Sequence, residues 1–251
     1  MKPIALVTGA SSGIGKAIAK QIADHYHLII CGRRTSRLEA LSKELNNKTQ
    51  TLIGSFDVRD QSAVSHFIDT LPDEWQNISI LINNAGNAHG MSYIHEGDIQ
   101  DWDAMIDINV KGLLYVSRAV IPKMIKKQHG HIINLGSIAG TDVYPRGNVY
   151  NASKFAVDAL TKGMRMDLNT HGIKVSEIKP GLVKTEFSEV RFKGDLEKAK
   201  ETYLGYHPLQ AQDIAECIAF MLSRPKHVNI GDMIVLPLAQ ASSTLLNKQQ
   251  K

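Results

Sequence analysis

Tyr150 and Lys154 stand four residues apart in a stretch with helical periodicity, so both side chains lie on one helix face. A phenol with an ordinary pKa near ~10 is a poor acid-base catalyst at neutral pH, and a nearby ammonium favours the phenolate. Ser137, thirteen residues upstream, can hydrogen-bond a substrate oxygen. The set predicts proton transfer at an alcohol or carbonyl oxygen, although a Tyr-x-x-x-Lys pair alone is common on ordinary helices.

A glycine-rich turn follows the first predicted strand and opens a helix. Glycine lets the backbone approach a pyrophosphate there, and the helix N-terminus supplies free N–H groups and a favourable dipole. A tight turn could also need glycine for steric reasons alone. The residues assigned to a phosphate-binding turn are Gly9, Ser11, Ser12, Gly13, Ile14 and Gly15.

Arg33 and Arg34 follow the second predicted strand, where an NAD-binding protein would carry an acidic residue for the ribose hydroxyls. A guanidinium group cannot accept a hydrogen bond from a hydroxyl, but it pairs well with a 2′-phosphate. The two arginines therefore predict NADP(H) as the cofactor. The alternative is a pair of solvated side chains at a strand end.

Two further strand ends are assigned to the same cofactor. Asp57 can accept a hydrogen bond from the adenine amino group beside the amide of Val58, or it can cap the next helix. An Asn-Asn-Ala-Gly run after the fourth strand permits close backbone approach to the ribose, or it simply closes a turn. This run consists of Asn83, Asn84, Ala85 and Gly86.

Short apolar runs alternate with longer amphipathic segments, which predicts strand-helix units around a doubly wound parallel sheet. The seven predicted strands span residues 4–8, 28–31, 51–55, 78–82, 131–135, 174–178 and 233–236. The predicted helices span residues 13–25, 36–46, 62–71, 102–127, 148–171 and 211–223. The one long irregular stretch, residues 181–209, is expected to be a functional lid or disordered.

The composition fits one α/β domain over residues 1–251, with 43% hydrophobic residues. The net charge of +4 is spread along the chain, so a nucleic-acid partner has little support. Cys31 and Cys217 lie in apolar runs without metal-site spacing, and we expect both to be buried free thiols. Since neither a leader pattern nor a membrane-spanning run is present, we expect a cytoplasmic protein.

Together these residues resemble the classical short-chain dehydrogenase/reductase family over essentially the whole chain. The matched positions are Gly9, Gly13, Gly15, the Asn-Asn-Ala-Gly run, Asn109, Ser137, Tyr150, Lys154, Pro180, Gly181 and Thr185. The resemblance implies a three-layer Rossmann fold, catalysis by Asn109 with the Ser-Tyr-Lys set, and nicotinamide contacts from Pro180, Gly181, Val183 and Thr185. It also implies that Asn109 holds a water linking Lys154 to solvent. A homotetramer through helices 102–127 and 148–171 is implied as well.

Within the family the likeness is to NADP-dependent 3-hydroxy acid dehydrogenases, the group of serine and allo-threonine dehydrogenase and malonic semialdehyde reductase. It is carried by residues 147–150, 180–183 and 185–195. Arg191 or Lys193 is expected to pair with a substrate carboxylate when the lid closes, or to be part of a solvated basic loop. Residues 142–146 should edge the substrate pocket but depart from the group's pattern, so Arg146 is either a second anion contact or an outward-pointing side chain.

The sequence thus predicts hydride transfer between NADP(H) and a small 3-hydroxy or 3-oxo acid. One alternative is a general carbonyl or 3-oxoacyl reductase of the same family. Another is a catalytically silent NADP(H)-binding protein, against which the complete set of four catalytic positions argues.

Overall fold

The computed structural model describes residues 2–248. The strands are β1 Ile4–Val7, β2 His27–Gly32, β3 Thr51–Ser55, β4 Ile78–Asn83, β5 Gly130–Leu135, β6 Ile173–Pro180, β7 Val183–Lys184, β8 Leu209–Gln210 and β9 Asp232–Val235. Seven of them form a parallel sheet in the order β3-β2-β1-β4-β5-β6-β9. The order changes direction between β1 and β4, which opens a crevice at the carboxyl ends of these strands. The predicted doubly wound seven-stranded sheet is confirmed.

Helices cover both faces of the sheet. They are α1 Gly13–Ile22, α2 Thr35–Leu45, α3 Gln61–Asp69, α4 Ile99–Ile106, α5 Gly112–Lys127, α6 Asn148–Leu168, α7 Phe187–Arg191, α8 Leu196–Glu201 and α9 Ala211–Leu222. A π-helical turn, Asp107–Lys111, joins α4 to α5. The single helix predicted over residues 102–127 therefore begins earlier and is interrupted around Asn109.

Two apolar cores lie on opposite faces of the sheet. Alternate residues of β2 enter different cores: Leu28 and Ile30 pack with α1, α2 and α9, whereas Ile29 and Cys31 pack with α3 and α5. Strands buried on both faces are apolar nearly throughout. This explains why the strands could be located from the sequence to within a few residues.

The predicted irregular stretch, residues 181–209, is mostly ordered into short elements. It contains β7, α7, α8 and β8, and β7 pairs with β8. The Asp195 side chain accepts a hydrogen bond from the Lys198 amide and so caps α8. Helices of five and six residues are too short to produce a recognisable apolar period, which is why the sequence pattern did not reveal them.

Both cysteines are free thiols, but only Cys31 is buried, and Cys217 on α9 is partly exposed. The expectation that both are buried is wrong for Cys217, because α9 places it at the border of its apolar face. Within residues 2–248, no helix combines the length and the hydropathy that a bilayer crossing requires.

Candidate active site

The carboxyl ends of the central strands open into one cavity of about 510 Å³. Its walls include the glycine-rich turn at one end and α7 at the other. Such a volume is typical of a site for a small organic ligand or cofactor. The predicted cofactor and catalytic positions can therefore be tested by asking which of them reach this cavity.

The glycine-rich turn is shaped by its backbone. Gly9 and Gly13 have φ of +66° and +51°, a conformation that favours glycine. A Cβ at Gly9 would also lie 3.0 Å from the Ala85 backbone. The N-cap of α1, Ser12, makes no side-chain capping bond, so the first N–H groups of the helix are free to bind an anion. This turn fits a pyrophosphate.

Gly15 has a different role from the other glycines of the turn. It is buried beneath the turn, and a Cβ there would overlap the Gly9 carbonyl oxygen. Gly15 does not line the cavity. It allows the close packing of α1 against the turn, and the cofactor contact predicted for it stays a prediction.

Arg34 stands over the phosphate turn and lines the cavity. Its Nη2 donates to Ser12 Oγ at 2.6 Å and to Ser11 Oγ at 3.2 Å. Its Nη1 pairs with Glu186 Oε2 at 2.9 Å. A guanidinium held beside two serine hydroxyls at a helix N-terminus fits a phosphate group. The Glu186 carboxylate would share the Arg34 guanidinium with that phosphate.

Asp57 and Val58 also line the cavity, together with Arg33. Burial raises the pKa of Asp57, but hydrogen bonds from Arg59 outweigh this effect and lower the pKa overall. Arg33 Nη1 lies 3.7 Å from Asp57 Oδ2. The helix-capping alternative for Asp57 is wrong, because Asp60 accepts from the Ala63 amide at the start of α3.

Three residues of the Asn-Asn-Ala-Gly run reach the cavity, namely Asn84, Ala85 and Gly86. The structure does not bring Asn83 there. β4 extends through Asn83, and its buried amide donates to Ser117 Oγ at 3.0 Å and to Asn134 Oδ1 at 2.9 Å. The predicted cofactor contact of Asn83 is therefore corrected to a structural role between β4, β5 and α5.

Ser137, Tyr150 and Lys154 converge at the end of β5 and all line the cavity. Ser137 Oγ accepts a hydrogen bond from the Ala139 amide at 3.1 Å. Lys154 Nζ donates to the Leu135 carbonyl at 2.8 Å and lies 6.0 Å from the centre of the Tyr150 ring. The predicted proton-transfer residues thus lie together around one space.

Burial raises the pKa of Tyr150, and Tyr144 adds to this, whereas the Ser137 hydroxyl and the charge of Arg191 oppose it. Burial lowers the pKa of Lys154 to about 8. The Lys154 ammonium is directed to the Leu135 carbonyl, and its predicted lowering of the phenol pKa stays a prediction. The cation that favours the phenolate in this arrangement is Arg191.

Asn109 lies in the π-helical turn behind Lys154. Its Oδ1 accepts from the Asn87 amide at 2.7 Å, and its Nδ2 donates to the Asn87 carbonyl at 2.8 Å and to Ser153 Oγ at 2.9 Å. A Cβ at Gly86 would meet Asn109 Oδ1 at 2.9 Å and Lys154 Nζ at 3.7 Å. Gly86 therefore lets the asparagine and the lysine approach one another.

The residues predicted for the nicotinamide reach the cavity from the segment that follows β6. They are Pro180, Gly181, Val183 and Thr185. Thr185 also faces the phosphate turn, since a Cβ at Gly13 would lie 3.4 Å from it. The segment thus contacts the phosphate turn before it continues into α7.

Arg191, at the end of α7, lies in the substrate half of the cavity. Its Nη2 donates to Tyr144 Oη at 2.7 Å, and its guanidinium lies 5.3 Å from the centre of the Tyr144 ring and 5.5 Å from that of Tyr150. Its Nε is buried without a hydrogen-bond partner among the described residues. A buried N–H of a charged group without a partner is costly, so Arg191 retains a donor for an anion.

Lys193 and Arg146, the other predicted anion contacts, do not reach this cavity. Lys193 pairs with Asp101 at 2.9 Å and with Asp98 at 3.5 Å. Arg146 is exposed, and its guanidinium lies 5.9 Å from the centre of the Tyr93 ring. Of the three basic candidates, Arg191 alone lines the cavity in the part of the chain that the structure describes.

Sequence reasoning placed residues 142–146 at the substrate pocket without giving Tyr144 a role, and it missed Gln240 and Ser243; all three residues line the cavity. Ser243 Oγ donates to Asp142 Oδ2 at 2.6 Å across a separation of 101 residues. No local sequence pattern predicts a contact over such a separation. Tyr144 could have been found as an aromatic residue within the segment that departs from the pattern of its group.

Comparison with known proteins identifies relatives along nearly the whole chain. Residues 3–195 match the short chain dehydrogenase family. The chain is 44% identical over 244 residues to the NADP-dependent 3-hydroxy acid dehydrogenase YdfG of Escherichia coli strain K12, covering 96% of this chain and 98% of the relative. It is 42% identical over 245 residues to sulfoacetaldehyde reductase 2 of Chromohalobacter salexigens, covering 97% of each.

Among solved structures, a closed form of serine dehydrogenase complexed with NADP+ matches with a TM-score of 0.92 and 43% sequence identity. The match covers 98% of this chain and 100% of that one. The family predicted from the sequence motifs is confirmed. By its sequence match and its fold, the chain belongs to the short chain dehydrogenase family.

Proposed function

We propose that this protein is an NADP-dependent oxidoreductase that oxidises the 3-hydroxyl of a small 3-hydroxy acid and reduces the corresponding 3-oxo acid. The observation that carries the substrate class is Arg191, whose buried Nε has no partner among the described residues and whose guanidinium lies beside Tyr150. The names of the 3-hydroxy acid and serine dehydrogenase relatives support the same class.

The cofactor would occupy the half of the cavity bounded by the phosphate turn, Arg33 and Arg34. NADP(H), when bound, supplies or accepts the hydride. The free N–H groups at the start of α1 bind the pyrophosphate, and Arg34 with its two serine neighbours binds the 2′-phosphate. Lys154 holds the nicotinamide ribose, and Thr185 holds the carboxamide.

Proton transfer is the task of the residues at the end of β5. In reduction Tyr150 donates its proton to the oxygen that develops negative charge, and in oxidation it accepts that proton. Ser137 donates a hydrogen bond to the same oxygen and fixes its position. Asn109, on the far side of Lys154, holds the water through which the lysine recovers a proton from solvent.

Arg191 would place the substrate for this chemistry. A carboxylate at the vacant Nε forms a charge-assisted hydrogen bond, which is short and directional. Tyr144 holds the other side of the guanidinium and so fixes its plane. Because Arg191 lies over the Tyr150 ring, an acid bound there has its hydroxyl carbon close to the phenol. A sulfonate is an anion of similar shape and fits the same guanidinium.

The substrate class is tested with Arg191→Ala and a matched control, Arg146→Ala, which removes an exposed arginine outside the cavity. We expect Arg191→Ala to lower kcat/KM for 3-hydroxypropionate and L-serine about 10- to 100-fold, the cost of one charged hydrogen bond. Activity on a neutral ketone should stay close to wild type, and Arg146→Ala should change neither. Equal losses on charged and neutral substrates would favour the general carbonyl reductase.

We further propose that residues 1–251 act as one NADP-binding Rossmann domain with a lid at residues 181–209, assembled as a homotetramer through α5 and α6. Leu114, Phe155 and Met166 are exposed on these helices, which supports an interface. Val157 on α6 is buried within the protomer, so it belongs to the protomer core and not to this interface. Light scattering after gel filtration measures the assembly.

The two free thiols support a reducing compartment, the cytoplasm.

A further inference from the structure

Glu177, in the middle of β6, is a buried acid that the mechanism above does not use. Its side chain is fully buried. Neither carboxylate oxygen has a hydrogen-bond partner among residues 2–248. A carboxylate in this position must either hold a proton or have a cation close by. Burial raises the pKa of Glu177 to about 7, so both forms occur near neutral pH.

The nearest cation on its own strand, Lys179, is already engaged. Lys179 Nζ lies 2.6 Å from Asp158 on α6 and 2.9 Å from Asp232 on β9, but 3.6 Å from Glu177. The same two acids are paired from their outer sides by Lys162 at 2.7 Å and Arg165 at 3.4 Å. Lys179 is therefore shared among three acids; it lowers the pKa of Glu177 more than Lys154 does, yet burial still raises that pKa overall.

Lys154 is a buried cation that forms no ion pair with an acid among residues 2–248. It approaches from α6, is almost fully buried, and donates a hydrogen bond to the uncharged Leu135 carbonyl. Glu177 reaches the adjacent residue, because a Cβ at Gly136 would overlap Glu177 Oε1. The Lys154 ammonium therefore contacts Leu135, and the Glu177 carboxylate contacts the next residue, Gly136. The charge of Glu177 also opposes the effect of burial on the pKa of Lys154.

We propose that Glu177 is the buried counter-ion of Lys154 and a positioning residue that keeps this lysine charged during turnover. The inference rests on the proposed roles of Tyr150 and Lys154. A nearby anion stabilises every protonated form of the Tyr150–Lys154 pair, so it raises the pKa of the pair as a unit. The absence of a side chain at Gly136 leaves the room that Glu177 needs.

The first test compares the pH profiles of kcat for NADPH-dependent reduction in Glu177→Gln and in Asp158→Asn. Glutamine keeps the shape of the side chain and removes its charge. We expect the alkaline limb of the Glu177→Gln profile to move to lower pH by about one unit. Asp158→Asn removes another acid of the same cluster and frees Lys179 to approach Glu177, so it should move the limb by less than Glu177→Gln does. Superposable Glu177→Gln and wild-type profiles, or equal shifts in both variants, would overturn the proposal.

The second test needs no substrate and uses the unaltered chain. Infrared spectra of protein labelled with 13C-glutamate should show a protonated carboxyl band that disappears between about pH 6 and about pH 8, as one Glu177 proton is lost. Coupling is reciprocal, so in Lys154→Met the midpoint of this loss should move to higher pH. An unchanged midpoint, or no such band, would contradict the proposal. Inactivity on every 3-hydroxy acid would overturn the proposed function instead. The infrared titration would still decide whether Glu177 and Lys154 are coupled.

Discussion

The two ends of the cavity recognise their ligands in different ways. At the cofactor end the shape comes from the backbone, through Gly9, Gly13 and the free N–H groups of α1. At the substrate end it comes from long side chains, since Arg191 is held by Tyr144 across 47 residues of sequence. A backbone turn is encoded locally, whereas a side-chain contact between two loops depends on the whole fold. Cofactor binding should therefore tolerate changes in α7, which lies beyond the cofactor contacts of Val183 and Thr185, far better than substrate binding does.

The largest effect that sharpens this contrast is expected from Arg34→Ala. Loss of a charge-assisted pair with the 2′-phosphate should raise KM for NADP+ about 10- to 100-fold, while KM for NAD+ and for the acid substrate stay near wild type. Steady-state kinetics with both cofactors measures the effect. Arg37→Ala is the matched control, because Arg37 also pairs with Glu186 but does not line the cavity. An equal rise in KM for NADP+ and NAD+ would contradict the assignment of Arg34 to the 2′-phosphate.

A smaller effect is expected at the substrate end from Tyr144→Phe. The ring that stacks with Arg191 remains, and one hydrogen bond to the guanidinium is lost. A hydrogen bond of this kind contributes about 1 kcal/mol, so KM for a 3-hydroxy acid should rise about fivefold with KM for NADP+ unchanged. Tyr93→Phe, beside the exposed Arg146, serves as the control. A changed KM for NADP+ would show that the two ends are not separate.

The smallest effect is expected where the lid meets the cofactor end. The Glu186 carboxylate pairs with Arg34 at 2.9 Å, with both side chains partly exposed. Exposed ion pairs contribute less than about 1 kcal/mol, so Glu186→Gln should tighten NADP+ binding about threefold, and more at low salt. Fluorescence titration measures Kd. Glu189→Gln, which changes an exposed acid three residues later on α7, should have no effect. Weaker NADP+ binding by Glu186→Gln would contradict the view that Glu186 and the 2′-phosphate compete for Arg34.

The parts of the site that the sequence revealed are those that follow directly from a strand. Ser137 and the phosphate turn each lie within a few residues of a buried apolar run, and the carboxyl ends of parallel strands meet at one edge. Asn83 shows the limit of this reasoning. A strand longer by one residue turned its amide into the interior, where it bonds to Asn134, and a one-residue shift reverses the direction of a side chain.

Residues that depend on distant contacts could not be located from the sequence. The local sequence presents Lys193 and Arg191 as equal candidates, two residues apart on the lid. The structure separates them because Lys193 meets Asp101 from a remote loop, whereas Arg191 meets Tyr144. Glu177 belongs to the same class, since Lys154 and Gly136 come to it from other elements. Such arrangements are set by tertiary packing and leave no local period in the chain.

The proposed function is tested most directly by the initial rate of NADP+ reduction with L-serine, L-allo-threonine and 3-hydroxypropionate, with NAD+ in parallel. We expect turnover of these acids with NADP+ and little with NAD+, because Arg34 favours the 2′-phosphate and Arg191 binds the carboxylate. Turnover of neutral ketones with NADPH but of none of the acids would contradict the assignment of Arg191 and leave the family and the proton-transfer residues in place.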